Sequence, residues 1–144
     1  MKKALILFIF ALQLSHVGCK ENAKGNIPKV IVEAFTIKYP SETDPDWQVD
    51  KNGNYEAHCK KEKIHYRADF TPNGNWVETE SSIKRKELPK AILKVVHRDY
   101  NNVNVVEIEK VNHASKGLFY DVEFKIEGEK NDVKFKQDGT IIKS

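Results

Sequence analysis

The sequence predicts an α+β protein built as two tandem helix-plus-four-strand repeats, an antiparallel sheet with its helices packed on one face. Three observations carry this: a segment that recurs along the chain, an apolar helical stripe opening each copy, and strict two-residue alternation after it.

Ile27-Pro28-Lys29 recurs as Leu88-Pro89-Lys90, an offset of 61, at which Ile31 matches Ile92, Ala34 Val95, Phe35 Val96 and Tyr39 Tyr100. Further on the offset is 65: Tyr55 matches Tyr120, Phe70 Phe135, and Asn73-Gly74 Asp138-Gly139. The change of four predicts a longer loop around Asn112 to Gly117 in the second copy.

Each copy opens with a helix. Ile27, Ile31, Ala34, Phe35 and Tyr39 share one helical face, as do Leu88, Ile92, Val95, Val96 and Tyr100. Pro28 and Pro89 fall in the first turn, where a missing N–H costs nothing. Strands follow. Tyr55, Ala57 and Cys59 alternate with polar residues, then Ile64, Tyr66, Ala68 and Phe70; Tyr120, Val122, Phe124 and Ile126, then Val133 and Phe135, repeat the pattern. One apolar face per strand means half-buried antiparallel strands, with the helices on that face and the other left open. Asn73-Gly74 and Asp138-Gly139 read as two-residue type I′ hairpin turns. Trp47, alternating with Val49, reads as core.

Before the first copy, Met1-Lys2-Lys3 is a positive start and Ala4 to Leu14 a short apolar run. A spanning helix needs roughly 20 apolar residues, so this is the pattern of a secretory signal peptide. Gly18-Cys19 has the junction of a bacterial lipoprotein, which would put acyl chains on Cys19; ordinary cleavage is the other route. The expected organisation is a signal peptide at 1–18, a tether at 19–26, a first repeat at 27–80, a linker at 81–86 and a second repeat at 87–144. The expected destination is the periplasm or outer membrane, with membrane contact only through the lipid.

Removing Lys2 and Lys3 from 24 basic residues leaves 22 against 21 acids, so the mature chain is nearly neutral. Nucleic-acid binding needs a concentrated basic footprint, and none is visible. With Cys19 acylated, Cys59 has no partner and reads as a small buried hydrophobe. There is no phosphate loop, HExxH, CxxC or nucleophile elbow. No enzymatic activity, metal or other cofactor is expected, and the chain is expected to be a monomer.

The segments Ile27-Pro28-Lys29, Ala34-Phe35, Lys38-Tyr39-Pro40, Asp46-Trp47, Asn54-Tyr55-Glu56-Ala57 and Glu87-Leu88-Pro89-Lys90 join a long run from Asp69 to Glu80, Asp-Phe-Thr-Pro-Asn-Gly-Asn-Trp-Val-Glu-Thr-Glu. In these the chain resembles the PepSY-like family of exported bacterial proteins, also described as β-lactamase-inhibitor-like. The likeness covers essentially the whole mature chain; it departs at Glu62-Lys63, where relatives carry an Asn-Gly-like turn. The resemblance implies fold and compartment. It supplies no catalytic motif, and it implies a partner held against the open face of the sheet.

Two readings of that face compete. With Asn73-Gly74 as a two-residue turn, Phe70 pairs with Val77 on the core side and Trp76 with Thr71 on the open side, beside Arg67 and His65. By the same count Ile141 and Phe119 point outward and Ile142 inward. Trp76, Arg67, His65, Phe119 and Ile141 are then the expected contacts for an unidentified envelope protein, since such residue types anchor interfaces. The alternative is a small-ligand or metal carrier using His58 and His65. These are directly opposite if their hairpin turns at Lys61-Glu62, but only diagonal if it turns at Glu62-Lys63, the register the repeat favours. Two histidines also fall short of a closed metal site. His97 on a helix and His113 in the expected loop have no visible partner, and Glu78 and Glu80 read as ordinary solvent-facing acids.

Overall fold

A computed structural model describes residues 27–61 and 63–143. The signal segment, Cys19 and the tether lie outside the described residues. The element order is α1 (Lys29–Lys38), β1 (Asp46–Val49), β2 (Tyr55–Lys61), β3 (Ile64–Phe70), β4 (Trp76–Ser82), a 3-10 turn (Arg85–Glu87), α2 (Lys90–Asp99), β5 (Asn104–His113), β6 (Gly117–Ile126) and β7 (Glu129–Phe135). The seven strands form one antiparallel sheet in chain order, each beside its sequence neighbour. No helix among the described residues is long and apolar enough to cross a membrane.

Pro28 and Pro89 begin the helices as expected, but from the cap position in extended conformation, their carbonyls accepting from Ile31 and Leu93. Each helix seats its stripe on its own half of the sheet. Ile31 and Phe35 pack with Ala57, Cys59, Ala68 and Phe70, with Trp47 and Tyr66 partly buried at the rim. Leu88, Ile92 and Val96 pack with Ile108, Tyr120, Val122, Phe124 and Phe135. Cys59 is free and buried, and burial pushes its thiol pKa up, so it serves as packing.

Three expectations change. After α2 come three strands and a single bridge, Phe135 to Ile141, in place of the expected fourth strand. The 81–86 linker is partly strand, because Ser81 and Ser82 complete β4. The four extra residues do not form a long loop: His113 and Gly117 are a paired position, so the insertion lengthens the β5–β6 hairpin. That extension matters. Val111, Asn112 and His113 pair with Glu80, Thr79 and Glu78, joining the strands before α2 and those after it into one sheet.

The hairpin turns account for another difference. Gly74 N donates to Thr71 O and Thr71 N to Asn75 O, with positive φ at Gly74 (80°) but not at Asn73. This is a type I turn closed by a left-handed glycine, a three-residue loop, whereas type I′ needs positive φ at both central residues. Lys136 to Thr140 repeat it around Gly139. One extra loop residue slips the register by one and turns Trp76 over, until a bulge at Val77 restores the pairing from Asp69–Glu78 onward.

Candidate functional site

Both helices lie on one face, and no helix covers the other among the described residues. That open face is read across the strands through directly opposed residues, which point to the same side. One row runs Asp46, His58, Arg67, Glu80, Val111, Phe119; the next runs Gln48, Glu56, Asp69, Glu78, His113. Further along, Ser82, Glu109, Asp121 and Lys134 are aligned, then Glu107, Glu123 and Asp132.

The expected contacts distribute unevenly over this frame. Arg67 and His65 lie on the open face, with His65 exposed and opposite Lys60. Phe119 is on the open face too but only 3% exposed, with the Lys134 ammonium 5.7 Å from its ring centroid, so it offers little surface. Trp76 is not on the open face. The one-residue slip pairs it with Phe70, leaves Val77 as the extra residue of a bulge, and packs the indole beside the first helix. There Lys38 Nζ lies 3.6 Å from its ring centroid and its Nε1 donates to Thr79 Oγ1 at 3.0 Å. Thr79 is also hydrogen-bonded to the Tyr39 hydroxyl. Ile141 follows for the same reason, paired with core residue Phe135 and not outward beside Phe119.

The histidine pair takes the diagonal register: His58 faces Arg67 and His65 faces Lys60. His58 Nε2 sits 3.0 Å from Glu56 Oε2. Among the described residues no three His, Cys, Asp or Glu side chains gather as a ligand set.

What converges instead is carboxylate. Asp46, Glu56, Asp69, Glu78, Glu80, Glu107, Glu109, Asp121, Glu123 and Asp132 place ten of the chain's 21 acids on this face, against Lys60, Arg67, Lys125, Lys130 and Lys134. Five pairs of acids stand directly opposite: Glu56–Asp69, Asp69–Glu78, Glu109–Asp121, Glu107–Glu123 and Glu123–Asp132. Arg67 is the central counter-ion, its Nε 2.9 Å from Asp69 Oδ1 and a terminal nitrogen 2.8 Å from Glu80 Oε2. Burial works against its charge, but Asp69 and Glu80 outweigh that and raise its pKa.

The acids respond in kind. Burial pushes Asp69 up to about 6 and Glu80 up to about 7, against the pull of Arg67 in both. Glu109 is raised by burial and then by Glu107; Asp121 is raised by burial, with Lys134 opposing and Asp132 adding. Lys134 reaches one Asp121 oxygen at 3.4 Å, while Oδ1 is buried without any hydrogen-bond donor. Two polar hollows open on this surface, about 650 Å³ between the α1–β1 loop and β5, and about 300 Å³ between Arg67 and Asp132.

Reading along the chain could not find this cluster. Every one of these acids is an outward position of a period-two strand, yet only the register shows that they stand opposite one another.

The geometry has close parallels among solved structures. A BLIP-like protein from Bacteroides fragilis is 26% identical, with TM-score 0.70 over 83% of this chain and 87% of that one. A DUF2874 family protein from Bacteroides ovatus is 18% identical, with TM-score 0.75 over 83% and 86%. A Bacteroides eggerthii protein described as periplasmic is 18% identical, with TM-score 0.74 over 83% and 88%. No curated protein sequence matches the chain. The model of one family, described as β-lactamase-inhibitor-like, PepSY-like, matches residues 53–143, most of the folded region. The chain therefore belongs to the PepSY-like, β-lactamase-inhibitor-like family.

Proposed function

We propose that this protein is a non-enzymatic binding module of the cell envelope, a monomer that holds a protein partner on its open sheet face. The carrying observation is that face itself: seven strands wide, without a helix over it among the described residues, and concave enough to hold two polar hollows. Family membership supports the same reading, since the family is described by likeness to inhibitors, which act by binding. Export through residues 1–18 agrees with the Bacteroides eggerthii relative described as periplasmic. A lipid on Cys19 with a tether to Asn26 would keep the module within roughly 25 Å of its membrane, at about 3.3–3.6 Å per residue.

The test places a photo-cross-linking amino acid at exposed His65 on the open face, or at exposed Lys94 on α2. After irradiation of intact envelopes, a discrete adduct from position 65 and none from position 94 is expected. Adducts from position 94 alone would put the partner on the helices and overturn the reading.

A further inference from the structure

Charge on this molecule is segregated by face. The open face carries ten acids against five lysines and arginines, while the mature chain as a whole is close to neutral. The balance lies on the other side, where α1, α2 and the 3-10 turn with its cap contribute Lys29, Lys38, Arg85, Lys90, Lys94 and Arg98, among other cations, against Glu33, Glu87 and Asp99. Such a distribution orients and accelerates the approach of an oppositely charged partner.

Folding does not ask for this arrangement. Like charges directly opposite on a sheet destabilise it, and five such pairs stand here. The acid side chains are also drawn in, with Asp121, Glu123 and Glu80 each less than one-fifth exposed although no helix among the described residues covers them. Asp121 Oδ1 is out of reach of solvent and lacks a donor. A buried acceptor without a partner is costly.

We propose that the open face takes a lysine- or arginine-rich extended segment of a protein partner, laid along the hollow between Glu80 and Asp132. Ammonium or guanidinium groups there separate the opposed carboxylates and add to the contact that Asp121 has with Lys134 at 3.4 Å. An extended chain suits a hollow that runs across β4, β5, β6 and β7 rather than into the protein. Burial disfavours the charged forms of Glu80 and Asp121, and a cation arriving beside them opposes that effect. This assignment rests on the open-face reading above and names the chemistry of its partner.

The probe is a fluorescein-labelled lysine–glycine repeat peptide, followed by anisotropy against the mature chain at low and at physiological salt. Saturable binding is expected, weakened about tenfold or more by Glu109→Gln with Asp121→Asn. Glu33→Gln with Asp99→Asn removes the same charge from the helices and is expected to leave binding unchanged. The assignment is overturned if both double variants weaken binding equally, if a glutamate–glycine peptide binds as well, or if calcium ions displace the peptide stoichiometrically. It is also overturned, with the open-face reading intact, if the partner cross-linked through position 65 is held equally well by the Glu109→Gln, Asp121→Asn variant. Absence of the position-65 adduct when Glu109 and Asp121 are both intact strikes the open-face reading instead.

Discussion

Phe70 stands opposite Trp76 across the β3–β4 hairpin, both on the helix side, because the loop between them holds three residues and not two. The indole closes the end of the first core under the Lys38 ammonium and fixes Thr79, which in turn holds Tyr39. A cation over an indole adds about 0.5–1 kcal/mol at exposed sites, on top of the buried ring area.

Trp76→Ala should therefore cost stability, about 2–3 kcal/mol, somewhat below the range for a fully buried aromatic. Urea unfolding measures this directly. A loss within 0.5 kcal/mol, the usual range for surface substitutions, would return Trp76 to the solvent side.

The turn glycines separate backbone strain from crowding. Gly53, Gly74 and Gly139 all have φ between 80° and 86°. A Cβ at Gly53 meets nothing within 4 Å, whereas at Gly74 it meets Val30 Cγ2 at 3.0 Å and Val30 O at 3.1 Å, and at Gly139 the Ala91 carbonyl oxygen at 3.0 Å. Gly53→Ala should cost only the left-handed backbone term, about 1–2 kcal/mol. Gly74→Ala and Gly139→Ala should each cost measurably more, since a helix backbone must also retreat. Equal losses at all three positions in chemical denaturation would show that the helices give way freely.

Arg67 and its two acids make stability depend on pH. Burial raises Asp69 to about 6 and Glu80 to about 7 in the folded protein, above their ordinary values of 3.8 and 4.5. Between those limits the native state binds more protons than the unfolded chain, so its stability falls as pH rises. The favourable contribution is complete below about 4 and is lost as pH climbs through about 6 and 7. Melting temperature is expected to increase on going from about pH 8 to about pH 5.5, and Glu80→Gln should flatten the trend. Arg67→Ala should steepen it, because both carboxyls then lose their counter-ion, and should cost about 2 kcal/mol at neutral pH, discounted for the partial exposure of the guanidinium. A profile that rises with pH between 5.5 and 8 would contradict the assignment.

The sequence by itself determined what local periodicity can encode. Helical stripes at Ile31–Phe35 and Ile92–Val96 and alternation from Tyr55 to Phe70 and from Tyr120 to Phe135 gave the elements and their buried side. The diagonal placement of His58 and His65 was legible as well, because the second copy carries a two-residue turn at Glu127-Gly128, both at positive φ. Turn length at Asn73-Gly74 and Asp138-Gly139 was not legible. Type I and type I′ loops accept the same dipeptides, and only the backbone angles distinguish them. That one residue carried Trp76 and Ile141 off the open face. The acidic surface was likewise decided by tertiary structure alone. Glu80, Glu109 and Asp121 are far apart along the chain and come together only through hydrogen-bonded register, joined where the lengthened β5 pairs with β4. Periodicity states which side of its own strand a residue takes; the strand opposite it is chosen by the whole fold.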